Sequence, residues 1–160
     1  MKIFSNGSKC LTVIGLVAIS NMMTALVAAK PLAADSQASS RRDAVKQAMQ
    51  HAWEGYRRYA FDSDELQPLS KTSTNNWGGW EMTILDSLDT LYVMGMMDEF
   101  VEAREKVNNI DFRNTATGGP ISFFETTIRA LGGLISAYDL SGDKIFLEQA
   151  QVLADSLSTA

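Results

Sequence analysis

One cysteine, one histidine and three prolines among 160 residues set the first limits on this chain. The cysteine, Cys10, lies in an apolar stretch near the N-terminus, so the rest of the chain has no disulfide and no thiolate chemistry of its own. His51 is the sole imidazole, with no second one to join it, and no zinc site is legible. It reads as an ordinary position on the first predicted helix. Basic residues are also scarce: 14 Lys+Arg stand against 19 Asp+Glu, for a formal net charge of -5. Lys2 and Lys9 lie ahead of the main body, and no basic block occurs anywhere. An acidic chain of this kind excludes nucleic acid and an anionic membrane surface as expected partners. Alternation of the strand type is missing too, since no stretch shows it convincingly. What remains is 46% hydrophobic and 21% charged, ordinary globular composition for one domain or a piece of one.

The N-terminus has the layout of a secretory leader. "MKIFSNGSK" is short and basic, "CLTVIGLVAISNMMTALVAA" is apolar, and Val27-Ala28-Ala29 places small residues where a signal peptidase would cut. An uncleaved anchor is the competing reading, because an apolar run of about 20 residues can span a bilayer. Either way the remainder is expected in the secretory pathway, secreted or in the lumen of the endoplasmic reticulum or Golgi. A membrane is a partner only if the anchor is kept. The sequon Asn6-Gly7-Ser8 precedes the apolar run and would escape glycosylation. Residues 1–29 are therefore read as leader, the small and polar "KPLAADSQASS" of residues 30–40 as linker, and 41–160 as the start of a folded domain.

Helical periodicity dominates residues 41–160. Ala44, Val45, Ala48, Met49, Ala52, Trp53, Tyr56 and Tyr59 recur at helical spacing after the start signal Ser40 and Asp43. This predicts an amphipathic helix over residues 41–60, then a long polar loop containing Pro68. "WEMTILDSLDTLYVMG" predicts a second helix stopped near Gly95, and "DEFVEAREKVNN" a third. A fourth begins at Ser122 and runs to about Leu140. The fifth starts at Asp143 with Ile145, Phe146, Ala150, Leu153 and Leu157 on one stripe. The second and fourth are apolar nearly all round, which predicts burial on both sides. The expected fold class is all-α, the first helices of a barrel of paired helices, an α/α toroid that five helices cannot close.

Polar residues on the two apolar helices are the candidates for chemistry. Thr83, Asp86, Ser87 and Thr90 form one stripe at helical spacing, with Asp89 pointing elsewhere. Buried, Asp86 would need hydrogen bonds, a cation or a wet cavity; alternatively the stripe simply faces solvent. In "ISFFETTIR", Ser122 and Glu125 fit a capping box. Glu125 and Arg129 also suit an ion pair one turn apart. Against a purely structural role stands Gly132-Gly133, in mid-helix, where each glycine costs roughly 1 kcal/mol relative to alanine. Glycines there imply close approach by another backbone or by a ligand.

Three segments together resemble a known family. "HAWEGYRRYAFDSDELQPLSK", "TILDSLDTLYVMG" and "FFETTIRALGGLISAYDLSGD" are similar to the N-terminal motifs of glycoside hydrolase family 47, the class I α-mannosidases, in the same order. The resemblance runs from about residue 41 to the end. It implies a barrel with an inner and an outer ring of helices, and an inverting, calcium-dependent glycosidase that removes α-1,2-linked mannose from high-mannose N-glycans. By the motifs it implies Glu125 as a catalytic acid, with Arg129 in the sugar-binding site and Asp86 in the active site. The remaining catalytic carboxylates, the disulfide pair and the calcium-binding threonine that the resemblance implies are expected downstream, so no residue of this chain is assigned to Ca2+ and the chain alone is expected to be inactive. Ser63, just before "DEL", departs from relatives that often carry a basic residue there. Two other readings stand beside the enzyme: a non-catalytic quality-control relative that binds mannose glycans, and a plain helical scaffold, which the three motifs argue against.

Overall fold

The computed structural model of the protein describes residues 36–159. The leader, with Cys10 and the Asn6 sequon, and the first part of the linker lie outside the described residues. No helix among the described residues is long and apolar enough to cross a membrane.

Five helical regions and one small hairpin make up the described chain. Helix α1 covers Ser36–Tyr59, starting inside the stretch read as linker. Its inward positions near the C-terminal end are Trp53 and Tyr56, three residues apart and so on one face. Their rings pack with that of Phe61 at centroid separations of 5.8, 6.2 and 6.0 Å. Arg57 and Arg58 lie in the last turn, where positive charge opposes the negative end of the helix dipole.

The polar loop predicted after α1 contains a hairpin instead. Strand β1 (Glu65–Gln67) pairs antiparallel with β2 (Thr72–Thr74), in the register Glu65 to Thr74, Leu66 to Ser73 and Gln67 to Thr72. Three-residue strands are too short to display an alternating pattern, which is why none was legible. Lys71 closes the turn with a left-handed φ of 58° and an N–H that donates to the Gln67 carbonyl at 2.8 Å.

Helix α2 (Met82–Val93) is the centre of the core. Met82, Ile84, Leu85, Leu88 and Leu91 are fully buried, each side chain contributing about 1.5–3 kcal/mol relative to exposure. Gly95 turns the chain with a φ of 64° into α3 (Met97–Asn108), which packs Phe100, Ala103 and Val107 against α2. The loop that follows is anchored by Phe112, edge-on to Trp80 at 5.4 Å, and by the Trp80 indole N–H donating to the Asn114 carbonyl.

Helix α4 follows Ser122 and has three parts: Phe123–Glu125 in α geometry, Thr126–Leu131 in π geometry and Gly132–Ser141 in α geometry again. The backbone stays in the right-handed helical region at Glu125, Thr126, Leu131 and Gly132. The Gly132 N–H reaches back five residues, to the Thr127 carbonyl. Gly142, with a φ of 70°, ends the helix as a left-handed cap. Helix α5 (Lys144–Ser158) is capped by Asp143, whose carboxylate accepts from the Ile145 N–H and pairs with Arg104 at 2.6 Å. Phe146, Ala150 and Leu153 of the predicted stripe are buried.

All-round burial of the fourth helix is not what the described residues show. Ala130, Leu134 and Ala137 are buried against α2 and α5, but Phe123, Phe124, Ile128, Ile135 and Leu140 are exposed, Phe124 at 66%. The apolar composition of α4 serves two faces, and only one of them is covered by the described helices.

The two adjacent glycines have different reasons to be there. A methyl at Gly133 would collide with the Leu85 carbonyl oxygen of α2, whereas one at Gly132 meets its nearest neighbour, the Thr127 carbonyl, at an ordinary 3.7 Å. Gly133→Ala is therefore expected to lose about 1–3 kcal/mol by overpacking. Gly132→Ala is expected to gain up to about 1 kcal/mol from helix propensity. Denaturant midpoints of the two variants of the protein should move in opposite directions. Equal shifts would count against the Gly133 contact.

Candidate active site

The site begins with a carboxylate in the loop before α2. Asp64 is fully buried. Its Oδ2 accepts the backbone N–H groups of Trp77 and Gly79 at 2.7 and 2.9 Å, and Oδ1 that of Met82 at 3.2 Å. Its main-chain carbonyl takes the Thr83 N–H at 3.0 Å and the Thr83 hydroxyl at 2.7 Å. A buried carboxylate is tolerable only with such a set of donors. The effect is to fold residues 75–82 over the start of α2. Gly78 and Gly79 make the bend with φ of 97° and 74°, and a Cβ at Gly79 would fall 2.6 Å from that of Ala116.

This loop delivers Trp77 to Arg129. The Arg129 guanidinium carbon stands 4.6 Å from the Trp77 ring centroid, a cation–π distance. The same guanidinium grips Asp86 of α2, with Nε 2.9 Å and Nη2 2.5 Å from Oδ2 and Nε 3.3 Å from Oδ1. The Asp86 contact holds the Arg129 pKa above the usual arginine value, and Glu65 and Glu125 add to the negative potential around it. Of the two readings of the α2 stripe, the solvent-facing one holds for Asp86, which is exposed while it bonds Arg129. Thr83 is engaged by Asp64, and Asp89 accepts from Ser136 of α4 at 3.0 Å and from Thr90.

Glu125 stands differently from the sequence expectation. Half of the capping box is present: the Ser122 hydroxyl accepts the Glu125 N–H at 3.2 Å. The return bond from the Glu125 carboxylate is not made, nor is the ion pair with Arg129, which is committed to Asp86 instead. Among the described residues the Glu125 carboxylate has no hydrogen-bond or ion-pair partner, and the side chains beside it, Phe123, Phe124 and Ile128, are exposed. The π segment begins at Thr126, directly after Glu125, and carries Arg129; such segments recur at functional sites.

Sequence reasoning missed Asp64 and Trp77. For Trp77 the signal was a tryptophan set between asparagines and glycines in "NNWGG"; Asp64 lies in the first family-like segment, which carried no role for it. A cavity of about 700 Å3 between α2 and α4 is lined by Asp89, Thr90 and Ser136 among others and does not include Asp86, Glu125 or Arg129.

Residues 48–160 match the profile of glycosyl hydrolase family 47. The chain belongs to this family. It is 54% identical over 121 residues to the mannosyl-oligosaccharide 1,2-alpha-mannosidase MNS1 of Arabidopsis thaliana, which is 75% of this chain and 21% of the relative. It is 44% identical over 123 residues to the endoplasmic reticulum mannosyl-oligosaccharide 1,2-alpha-mannosidase of Rattus norvegicus, 76% of this chain and 18% of that one. Among solved structures it superposes on the alpha-1,2-mannosidase from Trichoderma reesei with a TM-score of 0.71 and 38% identity, over 73% of this chain and 27% of the other. The chain thus spans about a fifth of the length of the curated relatives it matches. As a family 47 chain it is mostly helical, and its helices are the first of a barrel of paired helices, with the short hairpin added.

A second charged cluster supports the loop from behind. Glu81, just before α2, has a left-handed φ of 57°. Its carboxylate pairs with Lys106 at 2.7 Å, and Lys106 also reaches Asp62 at 2.6 Å. Glu81 Oε2 is buried with no hydrogen-bond partner among the described residues. Burial pushes the Glu81 carboxyl pKa up, and the Lys106 bond only partly opposes this. The folded state therefore holds the Glu81 proton more tightly than the unfolded chain does. That contribution is fully present below the ordinary carboxylate pKa and is lost as pH rises through the raised folded value. Melting temperatures from pH 3.5 upward should show wild type losing ground against Glu81→Gln as pH increases. A difference that stays constant with pH would contradict this.

Proposed function

We propose that these residues belong to an α-1,2-mannosidase of the secretory pathway that trims high-mannose N-glycans by an inverting, calcium-dependent reaction. The observation that carries the reading is the contrast between two carboxyl groups in a family 47 chain. Asp86 has its oxygens engaged by Arg129, while Glu125 has no partner among the described residues. A group whose oxygens are already committed is poorly placed to deliver a proton, and an uncommitted one is well placed.

Inverting hydrolysis needs a carboxylic acid to protonate the departing glycosidic oxygen. It also needs a carboxylate on the opposite face to take a proton from the attacking water. Glu125 takes the first role. Its proton goes to the leaving oxygen as the bond to the anomeric carbon breaks, and water adds to that carbon from the other side. Arg129, held between Trp77 and Asp86, offers hydrogen-bond donors to sugar hydroxyls, with Asp86 fixing its position. The carboxylate that activates water is not assigned to any residue of this chain.

Calcium enters the proposal through the family resemblance. The described residues do not suit it: among them no three His, Cys, Asp or Glu side chains converge. No ligand is therefore named here, and no step is routed through the ion.

Glu125→Gln tests the acid. The amide keeps the size and the backbone bond to Ser122 but has no carboxyl proton to give. In the full-length protein, kcat on an α-1,2-linked mannose disaccharide should fall by roughly 10²–10⁴-fold, with a much smaller change in KM. If Glu125 serves only the helix start, the variant would instead melt lower, by about 1 kcal/mol at most, at unchanged kcat. Wild type that binds the disaccharide without turnover would favour the non-catalytic mannose-binding reading.

A further inference from the structure

We propose that Trp77 is a positioning residue of this site, fixing the plane of the Arg129 guanidinium so that the edge not taken by Asp86 meets the sugar. This rests on the mannosidase reading above. It goes beyond that reading by assigning the orientation of the arginine to a loop residue with no charge and no catalytic chemistry.

Three separate elements converge on one guanidinium. The π segment of α4 supplies Arg129, α2 supplies the carboxylate along one edge, and the loop ahead of α2 supplies an aromatic face 4.6 Å away. An edge contact alone leaves the guanidinium able to rock about the axis through Asp86. A ring beneath the guanidinium restrains that motion, because stacking and cation–π attraction are both greatest when the planes lie together. The donors on Nη1 make no bond among the described residues, and the side chain is 22% exposed, so a donor edge is left for a ligand. A fixed planar fork suits adjacent hydroxyl groups, where a mobile one would lose freedom on binding.

Trp77 is in turn held from below. Its backbone N–H is bonded to the fully buried Asp64 carboxylate at 2.7 Å, so the main chain that carries the ring is fixed by a buried charge-assisted bond. Its indole N–H is buried and makes no hydrogen bond among the described residues. The ring is therefore not placed by its polar atom, and what its face touches is a cation.

The experiment combines an NMR reading of the arginine with steady-state kinetics on the α-1,2-linked mannose disaccharide, in the full-length protein. The Arg129 Nε–H resonance, identified by its loss in Arg129→Lys, should be displaced by the ring current of Trp77 in wild type. That displacement should vanish in Trp77→Leu and persist in Trp77→Phe, which keeps an aromatic face. KM should rise about 2- to 30-fold in Trp77→Leu, the range a cation–π contact supports, with kcat changed far less and Trp77→Phe close to wild type. In an Arg129→Lys background, Trp77→Leu should add little further loss. An undisplaced resonance in wild type overturns the proposal and needs no folded tryptophan variant. So does a lost displacement with unchanged KM, or equal damage by the leucine and phenylalanine variants. A wild type without hydrolysis defeats the mannosidase reading and the sugar role of Trp77 with it, while the resonance separately decides whether Trp77 orients Arg129.

Discussion

The arrangement depends on one buried carboxylate. Asp64 has no exposed surface, and its side chain and main chain together bind four backbone N–H groups or hydroxyls in the loop and first turn of α2, besides the Trp77 N–H. Its own N–H is taken by the Asn75 side chain at 2.9 Å. Removing the carboxylate would leave several donors without partners in a site that water does not reach, each costing about 1–3 kcal/mol. Those donors belong to the residues that carry Trp77 and begin the central helix. The hairpin, the loop and α2 therefore respond to the same group.

Close approach of two helices is the second requirement. Arg129 reaches Asp86 because α4 lies against α2 at Gly133, whose missing side chain admits the Leu85 carbonyl. Asp86 follows Leu85 in the chain, so the contact point and the ion pair are neighbours. The π segment of α4 ends immediately before the two glycines. An ordinary α turn there would present a different face of Arg129's turn to α2. Packing and electrostatics thus meet within a few residues, and neither could be changed without the other.

Charge around Arg129 is uneven in a useful way. One guanidinium is surrounded by Asp86, Glu65 and Glu125, but bonded only to the first. Glu125 stays within the field of the cation yet uncommitted, beside the exposed apolar face of Phe123, Phe124 and Ile128. Contiguous exposed apolar surface of this kind ordinarily meets another protein surface or a ligand. The described helices leave it open on the side of α4 that faces away from α2 and α5.

Periodicity determined much of this protein before any coordinates. The predicted helices, their order, and caps such as Ser122 and Asp143 follow from local rules, because a helix end is satisfied by residues two to four positions away. Resemblance of three segments singled out Asp86, Glu125 and Arg129, and the tertiary structure joins the first and last of these. The hairpin escaped because three-residue strands carry no period. The π segment escaped because its residues read like any α turn. Asp64 and Trp77 escaped for a different reason: their partners lie 11 to 52 positions away along the chain. Sequence suggested that Arg129 would pair with Glu125, one turn away on its own helix. Only the tertiary structure decided for Asp86, because the packing of α4 on α2 brings Nη2 and Nε of Arg129 to Asp86 Oδ2 at 2.5 and 2.9 Å, two charge-assisted bonds that a pair along one helix does not make here.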